Sequence, residues 1–266
     1  MTVPGLGEAL FLSVVAAAGG AINAVAGGGS FLVFPALLFA GLAPISANAT
    51  CTFAMWCGSL ASIGAYRREL AAAPRSTAFL SGVSLVGGLA GAVLLLNTPP
   101  DAFLRAVPWL LLFAAVVFTF GPGATRWLRA HRGSGHPLGA WTWPAMAVAQ
   151  LLIATYGGYF GAGIGILMLG ALSLTDLEDL HAMNALKVVL ATWINGVAAL
   201  AFAFKSQVAW GFALPMIAAS ILGGFGGGWL ARRFPASKVR VLVLFIAWAM
   251  TIYFFLPASI RAGSGR

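Results

Sequence analysis

Ser84-Leu85-Val86-Gly87-Gly88-Leu89-Ala90-Gly91-Ala92-Val93-Leu94 reappears 136 residues later as Ser220-Ile221-Leu222-Gly223-Gly224-Phe225-Gly226-Gly227-Gly228-Trp229-Leu230. Pro99 and Pro235 keep the same offset, and upstream of each copy a glycine-rich break in an apolar segment precedes a stretch carrying Asn-Ala. A duplicated chain with two broken apolar segments is the outline of a secondary transporter, with its site where the repeats meet.

Composition narrows the class before any single residue does. Hydrophobic residues make up 61% of the chain and charged ones 8%, against about 25% charged in soluble domains, and the mean hydropathy is +0.95. The chain reads as an all-α polytopic membrane protein, with room in 266 residues for eight to ten crossings of about 20 residues each. No soluble catalytic domain fits beside them. The net charge of +9 would suit nucleic acid, but the basic residues form short clusters between apolar spans, as cytoplasmic loops do. The first basic residue is Arg67, so the amino-terminal apolar segment lacks the n-region of a cleaved signal and reads as a retained helix. Cys51 and Cys57, six apart on one expected helix, lie on different faces and read as packing residues.

Ten apolar stretches run at 6–26, 31–42, 45–66, 76–97, 102–120, 141–160, 163–175, 179–204, 207–231 and 238–257. The second and seventh are too short to span a bilayer unaided. Each follows a break, Ala26-Gly27-Gly28-Gly29-Ser30 or Gly161-Ala162-Gly163-Ile164-Gly165. The expected organisation is a first transmembrane repeat over 1–120, a cytoplasmic linker over 121–140 and a second repeat over 141–266. Arg67, Arg68 and Arg75 mark one loop as cytoplasmic, whereas the strongest cluster of the second half, Arg232 to Arg240, aligns with the uncharged loop at Asn97. Equivalent loops on opposite sides require an odd number of crossings per repeat. The prediction is two inverted-topology repeats of five segments, one short or broken segment in each, with both termini outside. The competing arrangement makes each short segment re-entrant and the repeats parallel, four plus four. The small residues at Gly87/Gly91 and Gly224/Gly228 predict close helix crossings.

One basic residue lies within an apolar helix: Lys187, in Asn184-Ala185-Leu186-Lys187. An ammonium at mid-membrane costs at least about 2.5–3.5 kcal/mol, so it should face the interior and meet an anion or carbonyls. Asn184 and Asn195, three turns apart, share a face that Lys187 borders. In the first half Asn48 aligns with Asn184, followed by Thr50, while Asn23 and Ser30 flank the glycine break. Glycines let the chain leave the helix cheaply, and the short helix after each break presents a positive end. The expected substrate-binding set is therefore Asn23, Gly28, Gly29, Ser30, Asn48, Thr50, Gly163, Gly165, Asn184, Lys187 and Asn195. Of the six acidic residues, none lies in the middle of an apolar span, which disfavours a cation pump or carboxylate-bound metal. Glu178 and His181 are the proton-coupling candidates, in a cluster that also reads as the cap of the following helix. No catalytic residues, metal or cofactor are expected.

These motifs resemble the TauE/SafE family of sulfite and sulfonate exporters. The resemblance rests on Gly20 to Ser30 with Pro35, on Ala47-Asn48-Ala49-Thr50, on Tyr66-Arg67-Arg68-Glu69 and on Met183 to Lys187 with Asn195. It covers nearly the whole chain outside the linker and tail. Cys51 is a departure, where relatives often carry Asn. The resemblance implies an inner-membrane, multi-pass permease exporting small sulfur-containing anions such as sulfite, sulfonates or thiosulfate. The residues themselves point to a small-anion site, with the bilayer as the other partner and Gly/Ala faces that permit a homodimer. Alternating access is expected, the two repeats rocking about a midplane anion with proton coupling. An anion channel, or a permease for thiosulfate or carboxylates, is the alternative.

Overall fold

The computed structural model describes residues 4–25, 28–63, 76–131, 142–172, 180–230 and 236–256, and within them every regular element is an α-helix. Ten helices follow in order: α1 (Leu6–Val25), α2 (Ser30–Phe39), α3 (Pro44–Ile63), α4 (Ser76–Leu96), α5 (Pro100–His131), α6 (Thr142–Tyr159), α7 (Ile164–Leu172), α8 (Leu180–Phe204), α9 (Trp210–Leu230) and α10 (Ala236–Phe255). They reproduce the ten apolar stretches, including the short second and seventh. Among the described residues, five helices are long and apolar enough to cross a membrane: α1, α4, α5, α8 and α9. This is a multi-pass membrane protein, as expected. One difference lies at the centre, where α5 continues through Gly121-Pro122-Gly123 to His131, so the first part of the stretch read as a linker is helical. Residues 132–141 lie outside the described set.

The two halves of the chain are interleaved. The most extensive helix pairs join α1 to α9, α4 to α6, α3 to α9 and α4 to α8, each combining one helix from either half. Exchanging α1–α5 for α6–α10 turns each of these pairs into another member of the same set. Glycine makes the two closest seams. A Cβ at Gly223 or Gly227 would strike the backbone of α1 at Ala17 or Ala21, and one at Gly87 or Gly91 would strike that of α6 at Leu151 or Thr155. Gly223 and Gly227, at the full 136-residue offset from Gly87 and Gly91, thus face α1, and Gly224 of the pair read from the sequence is buried there too, its nitrogen 3.1 Å from where a Gly20 Cβ would stand. Without a hydrophobic drive between helices in lipid, such backbone contact supplies the dispersion that holds them.

Pairwise contacts also fix helix directions. Gly19 faces Met55 and Asn23 bonds Ser59, so α1 and α3 run the same way. The chain must return between them, and α2 with its flanking turns makes that return. Thr50 pairs with Ala209 and Ala54 with Ser220, so α9 runs with α3. The rings of Phe31 and Phe34 meet those of Phe118 and Phe103, which sets α2 against α5. Gly163 meets Ala114, Gly121 meets Ile166 and Gly170 meets Thr125, so α7 runs with α5. Sequence charge left open whether the short segments cross or re-enter; at α2 the helix directions show that the chain runs back between the parallel α1 and α3.

Candidate functional site

The second break is the better-furnished one. After Tyr159 the N–H groups of Phe160 and Gly161 both turn back to the Tyr156 carbonyl (2.9 and 3.3 Å). Gly161 and Gly163 have φ of 83° and 80°, a left-handed backbone that costs other residues dearly and glycine little. The chain re-enters a helix with Ile166 and Leu167 both donating to the Gly163 carbonyl (3.1 and 3.4 Å), leaving earlier N–H groups of α7 outside the helical ladder. Side chains from three other helices or turns hold this loop. Asn48 Nδ2 in α3 donates to the Tyr159 carbonyl at 3.1 Å, the Tyr156 hydroxyl donates to the Ala162 carbonyl at 2.8 Å, and the Tyr159 hydroxyl reaches Thr98 Oγ1 at 3.4 Å. From α8, Asn195 donates to the Ala191 carbonyl (2.9 Å) and places its Oδ1 3.5 Å from where a Gly161 Cβ would stand. About two turns earlier on the same helix, the Lys187 stem lies across Gly165, Cδ at 3.4 Å from the absent Cβ.

The first break repeats the backbone pattern with different side chains. Leu32 and Val33 both donate to the Gly29 carbonyl (3.1 and 3.2 Å), as Ile166 and Leu167 do to Gly163. Gly28 has φ 96° and packs against Phe118 and Val243, while Gly29 lies directly on Gly19. The Ser30 side chain lies near the Cys51 thiol. Asn23 Nδ2 donates to Ser59 Oγ (3.0 Å), which donates onward to the Met55 carbonyl. At the offset that pairs Asn48 with Asn184, Cys51 answers to Lys187 and Ser59 to Asn195.

The two breaks meet on one helix. Gly163 lies against Ala114 and Gly28 against Phe118, four residues apart on α5 and so on one face, about 6 Å along its axis. Phe34 in the short α2 stacks edge-on to Phe160 of the second break, centroids 5.4 Å apart. Thus Asn48, Gly163, Gly165, Lys187 and Asn195 gather at the second break, and Asn23, Gly28, Gly29 and Ser30 at the first. Thr50 is buried elsewhere, its Oγ1 accepting from the Ala209 N–H at 3.0 Å before α9. Glu178 lies outside the described residues, as do the side chains of His181 and Asn184, although both residues fall in α8.

Sequence reasoning missed Tyr156, Tyr159 and Arg240. Arg240 was read as part of a basic loop; instead its Nη2 donates to the Phe118 and Thr119 carbonyls of α5 at 3.1 and 3.0 Å. The signal was Pro122. Having no N–H, it leaves the carbonyl four residues earlier, Phe118, without a helical donor.

Interleaved apolar helices around two broken segments define a polytopic membrane transporter. The chain belongs to the sulfite exporter TauE/SafE family, whose sequence model matches residues 12–254. It is 27% identical over 232 residues to the "Probable membrane transporter protein" of Haemophilus influenzae, covering 86% of this chain and 88% of that one. It is 25% identical to "Probable membrane transporter protein YfcA" of Escherichia coli K12, covering 92% and 88%, and 28% identical to "Probable membrane transporter protein ORF9" of a Sinorhizobium, covering 91% and 90%. No solved structure matches the chain.

Proposed function

We propose that the chain is a proton-coupled secondary transporter exporting small sulfur-containing anions such as sulfite or organosulfonates by alternating access. The observation that carries this reading is the convergence of both breaks on one face of α5, at Ala114 and Phe118, with the Lys187 stem over the first turn of α7. Backbone N–H groups at the starts of α2 and α7 and the Lys187 ammonium then hold the anion. Asn195, Asn184 and Ser30 complete its hydrogen bonds. Asn23, Asn48 and Thr50 act one step back, keeping helix ends in place through Ser59, Tyr159 and Ala209. Glu178 and His181, before and within the first turn of α8, carry the coupled proton.

The two halves are inverted repeats of five segments. The return of the chain at α2 supports this, as does the setting of α2 against α5 where its counterpart α7 runs with α5. The moving bodies are accordingly interleaved: α1, α3 and α9 form one, α4, α6 and α8 the other, and the anion lies between them.

The test is flux of sulfite, taurine-like sulfonates, thiosulfate and a carboxylate in proteoliposomes, with and without a pH gradient. Saturable, gradient-driven flux of a sulfur anion that disappears in a folded Lys187→Met variant is expected. Flux that neither saturates nor responds to the gradient would make the protein a channel, and wild-type flux from Lys187→Met would remove the lysine from the site.

A further inference from the structure

Away from the breaks, α3, α4 and α8 enclose a cavity of about 470 Å³ walled by Trp56, Leu60, Leu85 and Trp193. It extends along α8 from Val189 to Leu200, about 16 Å at the helical rise. Its mouth is membrane-facing: Leu60, Trp193 and Leu200 are 43%, 47% and 46% exposed, and α8 is one of the helices long and apolar enough to span. The cavity exists because α8 is thin where α3 is bulky. Thr192 and Gly196 stand opposite Trp56 and Leu60, whose positions they match at the 136-residue offset, and the Trp56 indole leans on the bare Gly196 backbone.

Its chemistry excludes polar occupants. Thr192 is the one lining side chain with a hydroxyl, and that hydroxyl is committed to the Val188 carbonyl at 2.8 Å. The Trp56 indole nitrogen is buried against Gly196 and is not offered to the cavity. Water finds no two to four polar partners there, and a polar ligand would lose its hydrogen bonds on entry. Hydrocarbon loses none and gains dispersion contacts with every wall.

We propose that the cavity seats one acyl chain of a membrane phospholipid, inserted sideways between α3 and α8. The chain's headgroup stays at the interface while its methylenes lie along Val189 to Leu200. This reading depends only on the protein spanning a membrane, so it stands or falls independently of what is transported.

The experiment uses the intact protein in liposomes doped with phosphatidylcholine bearing a photoreactive diazirine at mid-chain, with labelled peptides mapped by mass spectrometry. Labelling of 189–200 and 56–60 at several-fold the level of an exposed reference, Val241, Leu242 and Phe245 on α10, is expected. Two variants that fill the space, Leu60→Trp and Leu85→Phe, should bring it down to the reference level while the protein stays monodisperse. Labelling no stronger than the reference in the wild type would overturn the proposal, with or without folded variants. So would undiminished labelling in either folded variant, or protection of the cavity in a preparation that runs as a dimer, which would make the occupant a second copy of this chain.

Discussion

The side-chain amide of Asn48, in α3, donates to the main-chain oxygen of Tyr159, the last residue of α6. A residue from one half of the chain therefore holds the point at which the other half leaves its helix. Asn48 is buried, so its truncation exposes no replacement solvent. Asn48→Ala should cost about 1–3 kcal/mol through the orphaned carbonyl, and Asn48→Asp should do no better, because a carboxylate cannot donate. Thermal unfolding in detergent and sulfite flux should fall together in both variants.

The glycine seams separate tight positions from idle ones. Gly91→Ala and Gly223→Ala place a methyl group on the Thr155 and Ala17 carbonyls, and backbone cannot step aside as a side chain can; overpacking of this kind costs about 1–3 kcal/mol. At Gly82 and Gly226 nothing lies within 4 Å of the added carbon. There alanine should be neutral or stabilise by up to about 1 kcal/mol through helix propensity. Melting temperatures of the four variants give the comparison directly, and equal shifts in all four would contradict the packing.

Arg240 and Pro122 form a testable pair. Arg240→Leu leaves the Phe118 carbonyl bare, with an expected loss of about 1.5–3 kcal/mol for a charged donor. Pro122→Ala returns an N–H to that carbonyl. The Arg240→Leu penalty should therefore shrink in the Pro122→Ala background, and a double-mutant cycle on unfolding free energies measures the coupling. Additive effects would mean that Arg240 matters only for Thr119.

Gly165→Val tests the contact between α7 and Lys187 without touching the lysine. The added side chain displaces the Lys187 stem, whose Cδ is 3.4 Å from the new Cβ. Apparent substrate affinity should weaken several-fold while the melting temperature changes little. An unchanged KM would show that Lys187 needs no support from α7.

Much of the fold was legible because a spanning helix is a statement of length and hydropathy. The ten apolar stretches became ten helices among the described residues, and both glycine breaks became turns with positive φ. What was not legible is which helices touch. The pairing of α1 with α9 depends on a glycine-rich run in which Gly223, Gly224 and Gly227 all meet α1, and nothing in such a run names the helix it will meet. Arg240 was hidden for a different reason. Its charge fits a cytoplasmic loop, and only the missing amide of Pro122, 118 positions earlier in the chain, says what the guanidinium is for. Thr50 shows the converse, a polar residue in a promising motif whose hydrogen bond goes to the start of another helix.

The interlocking of α1 with α9 sets the order of events during synthesis. The stripe on α1 that meets Gly223 and Gly227 is made first, and its partner emerges roughly 200 residues later, some 10–40 s at usual elongation rates. Throughout that interval α1 sits in the bilayer with its close-packing face turned to lipid or to a holding factor. The first half consequently matures only when the second arrives, and the two halves expressed as separate polypeptides should each be short-lived alone and persist when made together.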